Sequence, residues 1–264
     1  MALFHEINMA RLFPLKAIAD AKLDPNALPE LETLLPDGQI PPLAWNSDLF
    51  TAASKHCSDM FARLYYNSTA PNGITFQQRV AGEGYKFDVV DERLGALIFD
   101  KYVNPTTAAQ LILQQVLTAE LTGGTPDIAL FNPLYTEVGI GFSAGIIDAG
   151  LTDPITLYIV TIDLAAPMEP RHFVSGTIFL DINQDQQYTP EEGILGLQVS
   201  LYNTSLKTSA SMTSQTMGFF QFPLAPGQNH IMGEWPPGVP ITQEYFWGSG
   251  KNYYVDLLIP FEQN

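Results

Sequence analysis

The sequence predicts an α+β fold in two parts, and three observations lead to this prediction. Residues 1–165 mix helical and strand patterns, whereas residues 172–264 contain short strands separated by glycine and proline turns. Between them lies Ala165-Ala-Pro-Met-Glu-Pro170, a proline-rich segment typical of a linker. A chain of 264 residues with 46% hydrophobic content can form two packed cores. We therefore expect two domains, 1–165 and 172–264, joined by a linker at 166–171.

The first part is predicted to contain several helices and two strands. A strong helix begins after Asn46, whose side chain can cap it, and its apolar residues recur at helical spacing. A proline-rich segment, 25–42, is predicted to be a loop. The predicted helices are Phe4–Leu15, Asn46–Tyr65, Phe76–Gly82 and Asn104–Leu121, and the predicted strands are Glu137–Ala144 and Thr156–Leu164.

The second part is predicted to be an all-β sandwich. Its apolar runs are short, regularly spaced and bounded by turn residues, which is the pattern of a sandwich of antiparallel strands. The predicted strands are Phe173–Leu180, Leu197–Tyr202, Ser209–Thr213, Phe219–Phe222, His230–Glu234 and Tyr253–Pro260.

The loop after the first of these strands has the spacing of a calcium site. It places oxygen side chains at positions one, three, five, nine and twelve, with a carboxylate last. Calcium binds six to eight oxygens, and a terminal glutamate can supply two of them. Because apolar alternating runs flank the loop, it joins strands and not the two helices of an EF-hand. The predicted Ca²⁺ ligands are Asp181, Asn183, Asp185, Gln187 and Glu192.

One position departs from the calcium pattern. The sixth residue of such loops is usually glycine because the chain turns sharply there. Here it is Gln186, which must adopt a strained backbone or a different turn. The alternative is an acidic, solvated hairpin loop without metal. By register Glu192 is the ligand, and Glu191 is expected to face solvent.

Charge and composition exclude several functions. A formal net charge of −16 argues against nucleic acid and against anionic membrane surfaces, since both attract lysine and arginine. The sequence has no apolar run of 18 or more residues, so we expect no transmembrane segment. Met1–Arg11 lacks the pattern of a signal peptide, so an exported form would have lost its signal. The single cysteine, Cys57, excludes an intramolecular disulfide and is expected to be a buried small residue.

Six segments of the first part resemble one known family, and they occur in the family's order. They are Glu6-Ile-Asn8-Met-Ala-Arg11, Pro42-Leu-Ala-Trp45-Asn46-Ser-Asp-Leu49, Ala52-Ala53-Ser-Lys-His56-Cys-Ser-Asp59-Met60, Tyr65-Tyr-Asn-Ser68-Thr-Ala-Pro71-Asn-Gly73, Arg79 with Gly84-Tyr85, and Asn132-Pro133-Leu-Tyr135-Thr-Glu137-Val-Gly139-Ile-Gly141. Through them residues 3–164 resemble the CAP superfamily (cysteine-rich secretory, antigen 5 and pathogenesis-related-1-like) in its bacterial form. The resemblance implies an α-β-α sandwich for 1–165.

The family's cleft residues are only partly present. Many CAP proteins carry two histidines and one or two glutamates in a central cleft, which often binds a divalent metal. The first histidine falls on Ser68, the second falls near Thr125 or Pro126, and one glutamate remains as Glu92. Glu92 alone cannot hold zinc. Ser68 and Glu92 therefore mark a degenerate CAP cleft, and Glu92, next to Arg93, is interpreted as a structural or surface carboxylate.

The second part also carries a resemblance. Val174–Asp185, Glu192, Gly196–Val199 and Thr213–Gly227 resemble the B-type repeats of Gram-positive surface adhesins and related carboxypeptidase-regulatory-like or transthyretin-like sandwiches. This resemblance implies that the loop binds Ca²⁺ and stiffens the domain. Some relatives form a Lys–Asn isopeptide bond, but the first strand here has no lysine.

Two classes of function follow from these patterns. The first is a noncatalytic extracellular or cell-surface module, adhesin-like, that binds a protein or cell-surface partner or self-assembles as a structural subunit. The alternative is a divergent hydrolase or a lipid-binding protein that uses the cleft near Ser68 and Glu92, with His56 close in sequence. Gly141-Phe-Ser143-Ala-Gly145 has the letters of a nucleophile elbow, but it lies in a strand pattern and lacks the strand–turn–helix context.

Overall fold

A computed structural model describes most of the chain and shows a mixed α+β fold in two compact units. The first unit is Glu6–Pro170, and the second is Arg171–Asn264 together with Met1–His5. The described residues are 1–24, 40–99, 103–122, 128–147, 155–235, 240–248 and 250–260. Most of the predicted loop at 25–42 therefore lies outside them. No helix in the described ranges is both long and apolar enough to cross a bilayer.

The helices and strands up to Pro167 agree with most of the predicted elements. The helices are α1 (Ala2–Leu12), α2 (Pro14–Asp20), α3 (Ser47–Arg63), α4 (Phe76–Gly82) and α5 (Pro105–Thr122). The strands are β1 (Ala44–Trp45), β2 (Phe87–Phe99), β3 (Glu137–Ile147) and β4 (Ile155–Pro167). A short 3-10 helix covers Ala129–Phe131.

Two local differences from the predicted elements have simple causes. The helix predicted over Phe4–Leu15 is interrupted at Phe13, because a proline cannot donate its backbone N–H and disfavours helical geometry in the residue before it. Pro14 instead starts α2. Strand β4 runs on through Ala166 and Pro167, the first two residues of the predicted linker, and both pair with the start of β2.

Helix α3 begins where its cap predicts. The Asn46 side chain accepts hydrogen bonds from the backbone N–H groups of Asp48 (2.9 Å) and Leu49 (3.1 Å). The helix ends at Arg63, before the predicted end at Tyr65, because Leu64 adopts a left-handed conformation at φ 51°. Leu64, which the helical spacing placed among the buried apolar residues of this helix, is therefore 72% exposed. The residues of α3 that are buried are Leu49, Ala52, Ala53, His56, Cys57 and Met60.

The first unit forms an α-β-α sandwich. Its sheet has the strand order β1-β3-β4-β2, antiparallel except for the short β1–β3 pair. A Cβ atom on Gly141 of β3 would lie 2.2 Å from the Ala53 carbonyl carbon, so glycine permits the close approach of α3. A Cβ atom on Gly95 of β2 would lie 3.1 Å from the Ile112 side chain of α5. Gly141 and Gly95 pair with adjacent residues of β4, which point to opposite faces, so the two helices cover opposite faces.

The second unit consists of two sheets around one hydrophobic core. The four-stranded sheet has the order β10-β9-β6-β7, and the three-stranded sheet has the order β11-β5-β8. The strands are β5 (Phe173–Asp181), β6 (Gln198–Asn203), β7 (Thr208–Thr213), β8 (Phe219–Pro223), β9 (Gly227–Glu234), β10 (Pro240–Gly248) and β11 (Tyr253–Pro260). The buried core residues are Val174, Ile178, Leu197, Val199, Leu201, Phe220, Phe222, Ile231, Leu257 and Ile259.

Candidate functional site

Polar residues from four separate elements meet beneath α3 in the first unit. They are His56 of α3, Arg79 of α4, Glu92 of β2 and Asp163 of β4. Glu92 connects them, because its Oε2 accepts a hydrogen bond from Arg79 Nη2 at 2.5 Å and its Oε1 lies 3.8 Å from His56 Nε2. The side chains of His56 and Glu92 are 1% and 0% exposed. We call these four residues and Ser68 the cleft cluster.

Arg79 closes the cleft over Glu92. Its Nη1 donates to the backbone oxygens of Ser68 at 2.9 Å and Ile74 at 3.2 Å, while Nη2 holds the Glu92 carboxylate. Its helix is held by a capping box, in which the side chains of Thr75 and Gln78 each accept a hydrogen bond from the other's backbone N–H. The structure thus brings the two predicted cleft residues, Ser68 and Glu92, together through one guanidinium.

His56 is held as a neutral side chain. Its Nε2 lies 3.1 Å from the Asn67 backbone oxygen, which can only accept, so this nitrogen carries the hydrogen. Nδ1 lies 3.4 Å from the Tyr65 hydroxyl, which donates to Asp59 at 2.5 Å. Burial and the nearby charge of Arg79 lower the pKa of His56 to about 4. At neutral pH the imidazole therefore carries no charge.

The two buried carboxyls of the cluster come from paired strands. Glu92 and Asp163 are directly opposite in the β2–β4 pair, and Asp163 is 1% exposed. Burial raises the pKa of Glu92, and the charge and hydrogen bond of Arg79 oppose this rise. Burial and the charge of Glu92 raise the pKa of Asp163 well above its ordinary value. Both groups are thus in an environment that favours protonation.

Of the two interpretations of Glu92 beside Arg93, a structural or a surface carboxylate, the surface one is wrong. Glu92 is buried and binds Arg79, whereas Arg93 donates to Asp91 at 2.8 Å and to Glu120 at 2.7 Å. The reason is strand geometry, since neighbouring residues of a strand point to opposite faces of the sheet. Glu92 faces α3, and Arg93 faces α5.

The candidate nucleophiles near the cleft are unactivated. Cys57 is buried as expected, its Sγ lies 3.2 Å from Thr161 Oγ1, and burial raises the pKa of its thiol to about 12. Ser143 lies inside β3 and not at a strand-to-helix turn, so the nucleophile-elbow letters carry no such site. Ser68 is half-buried, and its side chain favours the charged form of Glu92 and so lowers the pKa of that carboxyl.

The sequence profile of the cysteine-rich secretory protein family, CAP, matches residues 4–145. The chain belongs to this family. The match covers more than half of the chain and contains every segment on which the resemblance was based, and the α-β-α sandwich is the fold that the resemblance implied. No curated protein matches the chain.

Solved structures similar to this CAP protein have low sequence identity. An extracellular protein containing an SCP domain from Bacillus anthracis str. Ames is 18% identical, with 53% of this chain and 39% of that chain covered and a TM-score of 0.34. An outer surface protein from Borrelia burgdorferi is also 18% identical, with 56% and 94% covered and a TM-score of 0.33. The shaft pilin of Lactobacillus rhamnosus GG is 12% identical, with 33% and 48% covered and a TM-score of 0.27.

Sequence reasoning missed Asp163 as a member of the CAP cleft. Asp163 is the one carboxylate in the strand segment Tyr158–Ala165, whose other residues are apolar or threonine. An isolated acid in such a run is costly unless it has a partner, and this signal could have marked it. The second histidine position, near Thr125 or Pro126, lies outside the described residues.

The predicted calcium loop in the second unit is organised by its own acidic side chains. Glu192 is 5% exposed, and its Oε1 accepts from the backbone N–H groups of Ile182 (3.0 Å) and Asn183 (3.2 Å). Its Oε2 accepts from the Thr189 hydroxyl at 2.9 Å. Glu191 is exposed, as its register predicts.

The remaining predicted ligands follow one another along the loop. Asp181 accepts from the backbone N–H groups of Asp185 (3.1 Å) and Gln186 (3.2 Å). Asn183 Oδ1 accepts from the Asp185 N–H at 3.0 Å, and Asp185 Oδ1 accepts from the Gln187 N–H at 2.7 Å. The structure therefore brings the side chains of Asp181, Asn183, Asp185 and Glu192 onto the loop backbone.

The backbone of this loop turns sharply at its sixth position. Gln186 has φ 61°, a conformation that favours glycine, so the strain expected at the sixth position is present. Gln184 has φ 62° as well. The oxygen donors fit calcium in kind. In the described part of the chain, no three or more His, Cys, Asp or Glu side chains are gathered into a metal-binding group.

Proposed function

We propose that this protein is a noncatalytic CAP protein that acts outside the cell or at its surface as a binding or assembly module, with a second domain stabilised by Ca²⁺. The observation that carries this proposal is the closed cleft cluster. Arg79 binds the Glu92 carboxylate, the group that the family's cleft would offer to a metal or substrate, and it also binds the backbone oxygen of Ser68.

The cleft cluster lacks an available general base at neutral pH. His56 Nε2 carries a hydrogen that points to Asn67, and its lowered pKa shows that the ring is a weak base. Glu92 is held by Arg79, which offsets its charge. A serine nucleophile needs a base within hydrogen-bond reach that can take its proton. These contacts favour a structural role for the cluster.

The second unit supports the binding or assembly part of the proposal. Its sequence segments resemble adhesin repeats, and the domain we assign to it, 172–264, follows the proline-rich segment at 166–171. A net charge of −16 suits a medium that contains calcium. The partner would be a protein, a cell-surface component or a second copy of the chain.

Calcium would be held by the oxygens of Asp181, Asn183, Asp185 and Glu192 and by the backbone carbonyl of Gln187. When bound, the ion would neutralise these carboxylates and crosslink the two ends of the loop. Extracellular calcium modules bind with dissociation constants of roughly 0.1–1 mM. About 1 mM free calcium would then add on the order of 0.4–1.4 kcal/mol to the stability of the domain.

An activity screen tests the noncatalytic part of the proposal. The full chain and its Ser68→Ala variant are incubated with peptide, ester and lipid substrates, each with calcium and with chelator. We expect no turnover by either protein. Turnover by the wild type that disappears in the variant would overturn the proposal.

A binding and assembly screen tests the other part. Light scattering and negative-stain microscopy with and without calcium measure self-assembly, and binding to immobilised cell-wall and surface-protein fractions measures partner contact. Ordered polymers or saturable binding support the module. A monodisperse monomer that binds none of these surfaces contradicts it.

One observation favours the alternative function, a divergent hydrolase or lipid-binding protein. Ser68, His56 and Glu92 lie in one cluster, with His56 Nε2 at 3.8 Å from Glu92 Oε1. Removing the guanidinium with Arg79→Ala would free Glu92 for such a role. Activity or lipid binding that appears in this variant and not in the wild type would show that Arg79 suppresses a latent site.

A further inference from the structure

Three oxygen atoms in the cleft cluster have no hydrogen-bond donor among the described residues. They are Oε1 of Glu92 and both carboxylate oxygens of Asp163. Because the two residues are directly opposite in the β2–β4 pair, their Cβ atoms lie about 4.5–5.5 Å apart on one face of the sheet. Buried polar atoms are nearly always hydrogen-bonded, so three together need an explanation.

Two ionised carboxylates at these positions would repel each other in a buried site. Like charges directly opposite on paired strands are destabilising, and burial weakens the screening of that repulsion. Among the described groups that face the pair, the cation is Arg79 of α4, which binds Glu92. Helix α3 contributes His56 and Cys57, both uncharged at neutral pH, and β3 places Gly139 beside Asp163.

We propose that Glu92 and Asp163 share one proton, with the Asp163 hydroxyl donating to Glu92 Oε1, and that this proton keeps the cleft closed. The proton lies between one Asp163 oxygen, to which it is bonded, and Glu92 Oε1, which accepts it, so it satisfies two of the three oxygens. It leaves one negative charge, on Glu92, which the Arg79 guanidinium balances. The cluster is then a proton-binding site that is stable in acid and is weakened by base.

The directions of the two pKa shifts agree with this arrangement. Burial and the charge of Glu92 raise the pKa of Asp163 well above its ordinary value, so the proton resides on Asp163. The pKa of Glu92 is also raised by burial, but Arg79 and Ser68 act in the opposite direction. Glu92 is therefore the acceptor of the shared proton.

The sign of the pH dependence follows from the raised pKa. The folded state binds the Asp163 proton more tightly than the unfolded chain, whose aspartates titrate at about pH 3.9. The stabilisation is therefore fully present below that value and is lost as the pH rises through the raised folded pKa. Within that window one proton changes the unfolding constant by up to about tenfold per pH unit.

Urea unfolding of the full chain between about pH 4 and about pH 9 tests the proposal. Asp163→Asn replaces the protonated carboxyl by an amide, which can donate to Glu92 at every pH. We expect the wild type to lose stability relative to this variant as the pH rises. Asp91→Asn is the matched control, since it removes a carboxylate of β2, the strand of Glu92, that binds Arg93 on the opposite face, and it should follow the wild type. A stability difference between wild type and Asp163→Asn that is independent of pH would overturn the proposal.

Infrared spectroscopy gives a second test that does not need a folded Asp163→Asn variant. Wild-type protein with ¹³C-labelled aspartate should show the carbonyl band of a protonated aspartic acid at neutral pH, and the band should disappear in base. Burial also raises the pKa of Asp256, so the spectrum of Asp256→Asn is recorded alongside, and the band that remains in that variant reports the pair. Spectra with only ionised aspartate at neutral pH would refute the shared proton, even if Asp163→Asn fails to fold.

Discussion

The cleft cluster and the predicted calcium loop both bury carboxylates, but they satisfy them in different ways. Glu92 is held by the Arg79 guanidinium, which comes from a separate helix. Glu192 is held by backbone N–H groups of its own loop and by Thr189. A buried glutamate can thus bind a cation from a distant segment, as Glu92 does, or hold the backbone of its own loop, as Glu192 does. Loss of Arg79 should therefore lower the free energy of unfolding of the first unit, and addition of Ca²⁺ should raise that of the second.

The largest expected effect comes from breaking the Arg79–Glu92 ion pair. Arg79→Ala leaves the Glu92 charge buried without its partner, so unfolding in urea should show a loss of about 3–5 kcal/mol. Replacing both residues, as Arg79→Met with Glu92→Met, removes the charge as well and should recover part of that loss. Lys55→Ala, which breaks the exposed pair with Glu83, is the control and should change stability by less than about 1 kcal/mol. Equal losses for Arg79→Ala and Lys55→Ala would contradict the stabilising role of the Arg79–Glu92 ion pair.

The close contact between α3 and β3 should affect stability nearly as much as the Arg79–Glu92 ion pair. Gly141→Ala places a Cβ atom 2.2 Å from the Ala53 carbonyl carbon, so α3 must move away from β3. We expect a loss of about 1–3 kcal/mol in thermal or urea unfolding. Gly82→Ala has open space around the new atom, and its effect should stay within about 1 kcal/mol. If both variants unfold alike, the tight α3–β3 contact does not exist.

Calcium should stabilise the second unit through the predicted calcium loop. Adding about 1 mM calcium should raise the free energy of unfolding by on the order of 0.4–1.4 kcal/mol, because the ion binds only the folded loop. Glu192→Gln should abolish this rise, whereas Glu191→Gln should keep it, since Glu191 is exposed. Calorimetric titration of the three proteins measures the same difference. Heat of binding that is unchanged in Glu192→Gln would remove Glu192 from the ligand set.

The smallest effect concerns strain in the loop backbone. Gln186 has φ 61°, so Gln186→Gly should relieve roughly 1 kcal/mol of strain, offset in part by the greater freedom of glycine in the unfolded chain. We expect a net gain of a few tenths of a kcal/mol in thermal unfolding. Gln187→Gly, at a position without positive φ, should destabilise the domain. A loss of stability in both variants would mean that the turn at Gln186 carries no strain.

Prediction from sequence succeeded for features that depend on nearby residues. The Asn46 cap and the apolar spacing predicted α3, because both act within one or two turns of the helix. It missed β2, which lies at the edge of its sheet. The charged residues Glu92 and Arg93 of this strand form ion pairs with α4 and α5, whereas their presence in the sequence suggested an exposed segment. It also missed β10, another edge strand. Strand patterns are weakest where a strand's surroundings come from distant parts of the chain.

By itself the sequence determined the family, the mixed helix–strand order and the candidate ligands of the calcium loop, since these depend on motifs and on spacing within short segments. Only the tertiary structure decided the chemistry of the cleft. The pairing of Glu92 with Asp163 is a matter of strand register between distant segments, and the approach of Arg79 depends on where α4 packs. Electrostatic contacts in a buried site depend on distance in space, and no local pattern encodes that distance.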